Sequence, residues 1–225
     1  MDSPCSERNS NDPRTISIDL SSPNPSHLEE AAQCASRGGV IIYPTDTLYG
    51  LGCAGVDRVA VERVMALKGR ALGKSFPLLI ADESWLEDLV EEVPESALKL
   101  QKAFWPGSLT LVYRASRSAP SHLVSPTGTI GLRISRSPVA QGIVQRLGLP
   151  LVATSANRSG ESYPGDVDSI LSSLGAGIDL CLDGGTLPPS RGSTVVDVRA
   201  NYPLLLREGD LPWKVIRALL NEVGE

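Results

Sequence analysis

Short apolar runs alternate with amphipathic stretches along this chain, and the alternation predicts strands and helices in turn. Ser26 and Glu29 have capping-box spacing, Leu28, Ala31, Ala32 and Ala35 share one side of a helix, and Gly38–Gly39 ends it. Val40–Tyr43 is then an apolar run between glycines and a proline, which reads as a buried strand. Asp57 caps a second helix with Val61, Val64, Met65 and Leu67 inward, running out near Lys68–Gly69. Further strands are predicted at Pro77–Ala81, Leu109–Tyr113, Thr129–Ile134, Leu151–Thr154, Ile178–Leu182, Thr194–Val198 and Leu204–Arg207. Further helices are predicted over Glu95–Phe104, from Ser137–Pro138 to Gly148, over Asp166–Leu174 and over Trp213–Val223. This interleaving implies an α/β fold, a twisted open mixed sheet flanked by helices.

The N-terminal stretch differs. Residues 1–24 are rich in Ser, Pro, Asn and charge and are expected to be flexible, with Thr15–Leu20 also readable as an edge strand. Residues 25–225 suit one large domain. A hydrophobic share of 41% and a charged share of 21% exclude collagen, coiled coil and wholesale disorder. Aromatic residues are only 4%, which argues against a protein that binds nucleic acid by stacking bases on aromatic platforms. A net charge of −5 has the wrong sign for a generic polyanion binder, while a local basic patch and anionic small ligands stay compatible with it. Cys5, Cys34, Cys53 and Cys181 form no CxxC pair, and only His27 and His122 could join them, so zinc-ligand spacing is absent. Met1–Asn24 lacks the apolar core of a signal peptide, and no run approaches the ~18 apolar residues of a membrane span. The expectation is a cytoplasmic protein without membrane contact, organelle targeting remaining compatible.

Two phosphate-binding patterns nearly fit. GLGCAG, Gly50–Gly55, matches the dinucleotide pattern GxGxxG, but PTDTLY separates it from the preceding strand. Asp82 also follows Gly50 by 32 residues, where a ribose-binding acid is expected after about 20. The other reading of these glycines is close packing or a turn. GRALGKS, Gly69–Ser75, falls one residue short of a P-loop between its glycines and follows a helix rather than a strand. What remains is a basic cluster, Lys68, Arg70 and Lys74, at a helix exit. Polar residues also concentrate at three strand ends: Thr45–Asp46–Thr47, Arg133–Ser135 and Thr154–Asn157. Ligands of open α/β sheets bind beyond the carboxyl ends of strands, and the same residue types also serve as caps and turns.

Six blocks in order, YPTDTLYGLG (Tyr43–Gly52), LKGR (Leu67–Arg70), FWPGSLTLV (Phe104–Val112), GLRIS (Gly131–Ser135), ATSANRSG (Ala153–Gly160) and GSTVVD (Gly192–Asp197), resemble the YrdC-like L-threonylcarbamoyladenylate synthase family in its single-domain form. The resemblance runs from about Gly38 to Arg207. It implies a YrdC-like twisted open sheet with one deep central cavity. It also implies a nucleotidyltransferase that makes threonylcarbamoyl-AMP and pyrophosphate from L-threonine, bicarbonate or CO2, and ATP, for threonylcarbamoyladenosine modification of tRNA. The implied cofactor is Mg2+ accompanying ATP, with no organic cofactor and no metal held by the protein. The implied partners are these substrates and a downstream tRNA threonylcarbamoyl-transfer machinery.

Matched residue by residue, the family's KxR element falls on Lys68 and Arg70 and its SxN element on Ser155 and Asn157, which implies catalytic roles for all four. Arg70, Lys74, Thr129, Ser155 and Arg207 are implied along ATP, and Thr47, Arg133 and Ser193 along threonine, with Arg133 gripping its carboxylate in bidentate fashion. A carbamate must approach a triphosphate, so fixed positive charge and positioning, rather than a nucleophile, are the implied means of catalysis. Ala71 and Ser75 stand where the family usually has prolines, which loosens the loop, and Leu79 stands where many members have histidine, which removes a polar contact to threonine. About 18 residues follow Arg207, so the second domain of longer relatives is expected to be absent. Asn157–Asp166, rich in Gly and Ser, is expected to close over the site as a lid. A second reading stays beside the first: a structured-RNA-binding or regulatory protein that uses the basic rim of the same cavity for a weak RNA contact.

Overall fold

The computed structural model describes residues 13–70, 75–200 and 202–221. In chain order its elements are β1 (Arg14–Ser17), α1 (Pro25–Ser36), β2 (Ile41–Pro44), β3 (Tyr49–Gly52), α2 (Arg58–Lys68), β4 (Leu78–Leu79), α3 (Leu86–Leu89), α4 (Glu95–Phe104) and β5 (Leu109–Arg114). They continue with β6 (Thr129–Arg133), α5 (Pro138–Leu147), β7 (Leu151–Val152), β8 (Thr154–Ser155), α6 (Val167–Leu174), β9 (Leu180–Asp183), β10 (Thr194–Asp197), β11 (Leu204–Arg207) and α7 (Trp213–Asn221). Of the stretch expected to be flexible, residues 1–12 lie outside the described residues, whereas β1 is an edge strand parallel to β9.

Helix starts follow local chemistry. Asp57, Ser137 and Asp166 accept backbone N–H bonds from Ala60, Ala140 and Ser169 at 3.0, 3.3 and 2.8 Å, capping α2, α5 and α6. The first helix begins earlier than the Ser26–Glu29 spacing predicts. Asn24 caps it by accepting from the Ser26 N–H at 3.0 Å, and Pro25 occupies its first position, where a missing N–H costs nothing.

The strands divide into two mixed sheets, one in the order β1-β9-β2-β3-β8 and the other β11-β10-β5-β6-β4-β7. Only Ala153 separates β7 from β8, yet the two strands belong to different sheets, so the chain crosses between sheets at this point. On the second sheet, strand periodicity sorts the residues by face. Leu109, Leu111, Tyr113, Ile130 and Leu132 point into the main core, which leaves Thr110, Val112, Thr129, Gly131 and Arg133 on the opposite face. A second apolar cluster joins α1 and α5 to β2, β7 and β9 through Leu28, Ala31, Val139, Ile143, Ile41, Tyr43, Leu151 and Leu180. Leu79 sits in this second cluster and is 1% exposed, so it does not face the site as its match to a histidine position implied.

GLGCAG is strand β3 and its exit. A Cβ at Gly50 would stand 2.7 Å from the Tyr43 ring, and one at Gly55 would stand 2.9 Å from the Pro150 carbonyl oxygen. These glycines therefore permit close packing, the second of the two readings given to them. Among the described residues no helix is long and apolar enough to cross a membrane. Cys34, Cys53 and Cys181 are free thiols.

Candidate active site

Strands of both sheets line a half-open cavity of about 400 Å3. The first sheet contributes Tyr49, Gly50, Thr154 and Ser155, the second Thr110, Thr129, Arg133 and Arg207, and the loops Thr45, Thr47, Arg70 and Ser193. Seven sequence-implied residues thus meet on one wall system: Thr47, Arg70, Thr129, Arg133, Ser155, Ser193 and Arg207. Lys68 and Asn157 do not line it. Lys74 and Ala71 lie outside the described residues. Thr110 was missed by sequence reasoning, although a threonine in the apolar run Leu109–Val112 was the available signal; it is 1% exposed and its hydroxyl lies 2.9 Å from that of Ser193.

The KxR and SxN elements form a single knot behind the Ser155 wall. Lys68 is 4% exposed; its Nζ donates to the Ser155 carbonyl at 2.7 Å and to Asn157 Oδ1 at 3.2 Å. Asn157 Oδ1 also accepts from Ser155 Oγ at 2.6 Å, and Asn157 Nδ2 donates to the Glu161 carbonyl at 2.7 Å. Among the described residues Lys68 has no ion pair with a carboxylate. Burial first, and then the neighbouring Arg70 charge, depress its pKa to about 8.

This depression has a measurable sign. Between about 8 and the ordinary value of 10.5 the unfolded chain binds this proton more tightly than the folded one. The penalty of burying the charge is therefore present below about 8 and is relieved as pH rises through that window. Cys53 and Cys181, pushed up to about 12 by burial, act in the opposite direction in wild type and variant alike and cancel in a comparison. Denaturant titrations of wild type and Lys68→Met should show the difference moving in favour of wild type across this window. A pH-independent difference would mean that Lys68 titrates as an exposed lysine does.

Three guanidiniums complete the site. Arg133, on β6, donates Nε to the Gly107 carbonyl at 2.9 Å, Nη1 to Thr47 Oγ1 at 3.3 Å and Nη2 to Asp46 Oδ1 at 2.7 Å. Three of its five N–H donors are thus engaged within the protein, and the expected bidentate grip has only two left to draw on. Arg207 donates Nη2 to the Ser193 carbonyl at 2.8 Å and to Ser193 Oγ at 3.2 Å, and its pKa is lowered by burial and then by Arg133. Arg70 stands 4.8 Å over the Phe76 ring, and burial lowers its pKa too. Among the described residues no carboxylate lines the cavity. Three guanidiniums, with no carboxylate among the described lining residues, make a cavity whose electrostatics favour an anion.

The segment expected to act as a lid is hydrogen-bonded to the body of the domain at three points. Ser159 N–H donates to the Lys68 carbonyl at 2.9 Å, Arg158 Nε to the Ser173 carbonyl at 2.8 Å, and Tyr163 Oη accepts from the Tyr49 N–H at 2.8 Å. None of Asn157–Asp166 lines the cavity. The glycines and serines of this loop shape turns that dock onto α2, α6 and β3.

The fold and site define an α/β domain with an arginine-lined cavity between two sheets. The Sua5/YciO/YrdC family profile, described as "Telomere recombination", matches residues 33–209, and the chain belongs to this family. It is 34% identical over 193 residues to a threonylcarbamoyl-AMP synthase of Pyrococcus abyssi, covering 86% of this chain and 57% of that protein. It is 34% identical over 209 residues to a threonylcarbamoyl-AMP synthase of Bacillus subtilis, covering 92% of this chain and 60% of that protein. The crystal structure of P. abyssi Sua5 complexed with L-threonine superposes with a TM-score of 0.86 at 32% identity, over 92% of this chain and 61% of that one. The chain therefore spans about three fifths of the length of these relatives.

Proposed function

We propose that this domain is a threonylcarbamoyl-AMP synthase, a nucleotidyltransferase that joins L-threonine, bicarbonate or CO2 and the AMP part of ATP and releases pyrophosphate. ATP enters with its magnesium ion as substrate, and the product passes to a tRNA threonylcarbamoyl-transfer machinery. The observation that carries this reading is the cavity charge: Arg70, Arg133 and Arg207 line it and, among the described residues, no carboxylate does. The relatives' names and the threonine held by P. abyssi Sua5 supply the substrate class.

The chemistry asks for what these residues offer. A carbamate, once formed on the threonine amine, must approach the α-phosphate of ATP, and repulsion between two anions is the principal obstacle. Fixed guanidiniums offset it without reorganising at the moment of reaction. Arg133 and Ser193 hold the amino acid, Arg70, Thr129 and Arg207 the nucleotide and its phosphates, and Ser155 stands where the reacting groups meet. Lys68 and Asn157 act from behind Ser155, fixing its backbone and hydroxyl and adding positive potential. Neither histidine enters this scheme: His122 Nε2 is bonded to the Gly55 carbonyl at 2.8 Å, and His27 belongs to α1.

Pyrophosphate release is expected only with ATP, L-threonine and bicarbonate present together, with the adenylate detectable by mass spectrometry. Serine, one methyl smaller, should be roughly 10-fold poorer in kcat/KM, the usual worth of a methyl in an apolar pocket. ATP turnover that ignores threonine would overturn the proposal, and steeply salt-dependent RNA binding without pyrophosphate release would favour the RNA-binding reading.

A further inference from the structure

Asp46 lies in the turn between β2 and β3, next to Thr47, and does not line the cavity. Its carboxylate nevertheless reaches the site through Arg133. The ion pair with Arg133 Nη2 spans 2.7 Å, with the two side chains only 8% and 15% exposed for Arg133 and Asp46. Ser135 Oγ donates to the same carboxylate oxygen. Arg133 is thereby held at three corners, by Asp46, by Thr47 and by the Gly107 carbonyl. The partners lie 87, 86 and 26 residues away in sequence, so the tertiary fold itself sets the guanidinium plane.

Charge gives Asp46 a second task. Arg133 and Arg207 face the same cavity closely enough for Arg133 to depress Arg207. Among the described residues Asp46 is the one carboxylate paired with either guanidinium. Its negative charge lets Arg133 stay buried beside Arg207 in a fixed orientation. Because its oxygen occupies one edge of Arg133, the guanidinium is left with a defined pair of donors for an incoming carboxylate.

Resting on the functional reading above, we infer that Asp46 is a positioning residue for amino-acid binding: it orients Arg133 toward the carboxylate of the substrate and contributes little to the nucleotide half of the site. Asp46→Ala removes both acceptor and charge, whereas Asp46→Asn keeps an acceptor for Arg133 and loses the charge.

Calorimetric titration with L-threonine and, separately, with ATP and magnesium tests this on wild type, Asp46→Ala, Asp46→Asn, Arg133→Ala and the double variant. Threonine binding should weaken at least 10-fold in Asp46→Ala and less in Asp46→Asn, with ATP binding changed no more than about 2-fold. In the Arg133→Ala background, Asp46→Ala should cost no further threonine affinity, a non-additivity that a merely structural residue would not give. Steady-state kinetics should show the effect in KM for threonine more than in kcat. Equal losses for both ligands, additive losses in the double variant, or wild-type threonine affinity in Asp46→Ala would each overturn the inference alone. Should Asp46→Ala not fold, Asp46→Asn and its double with Arg133→Ala decide by the same criteria. A wild-type protein that binds no threonine would instead remove the functional reading and this inference with it.

Discussion

Arg70→Ala is expected to slow pyrophosphate release about 100-fold or more while the domain stays folded. The guanidinium lines the cavity, and its described protein bond is to the Ser75 carbonyl at 3.2 Å, a modest tie to the fold. A second described contact, to the Phe76 ring at 4.8 Å, is a cation–π interaction worth about 1 kcal/mol. Its positive charge is held partly desolvated, which lowers its pKa and strengthens whatever it does to a phosphate. Removing one preorganised donor from a site of this kind typically costs 10²- to 10³-fold, roughly 3 to 4 kcal/mol in the transition state. Stopped-time pyrophosphate assays paired with thermal unfolding separate the two terms. A folded, fully active Arg70→Ala would remove Arg70 from the phosphate side of the site; an unfolded one would make it a structural residue.

The sequence was most readable where the determinant is local. Asp57 and Ser137–Pro138 announce helix starts because a cap needs only its next few neighbours, and both cap as expected, while Asp166, expected as the first residue of its helix, is the cap just before it. Strand β3 went unpredicted because Tyr49–Gly52 is half glycine, a composition with little strand preference of its own. Its conformation comes from antiparallel pairing with β2 on one side and β8 on the other. The division into two sheets was equally hidden, since β7 and β8 are neighbours in sequence and part at Ala153.

At the site, residue types were legible and their partners were not. Polar residues at strand ends pointed to the cavity, and seven of the implied residues converge there. That Lys68 would be buried behind Ser155, and that Asp46 would occupy Arg133, depends on contacts 87 to 89 residues apart in sequence. The docking of the Asn157–Asp166 loop was hidden for a related reason. The composition of Asn157–Asp166 suits mobility, but bonds to Lys68, Ser173 and Tyr49 from three separate elements hold the loop down.

Gly52→Ala should be the most damaging small substitution in the chain's glycine-rich segment, and it discriminates between the two readings of GLGCAG. An alanine Cβ at this position would stand 2.0 Å from the Val152 carbonyl oxygen and 3.1 Å from the Tyr43 ring. The first obstacle is backbone, so no rotamer change relieves it. That carbonyl is also the acceptor for the Tyr43 hydroxyl at 2.9 Å, so moving it breaks a buried bond as well. It lies where β3 abuts β7, at the junction between the two sheets that form the cavity. We expect a loss of about 4 kcal/mol, at the upper end for a single overpacking substitution coupled to a lost buried hydrogen bond. For a domain of this size that corresponds to a fall in Tm of roughly 8 to 16 °C. Had the glycine served a phosphate-binding turn, the same substitution would spare Tm and abolish nucleotide binding. Thermal unfolding beside ATP titration therefore decides it: a Tm within about 2 °C of wild type would contradict the packing account.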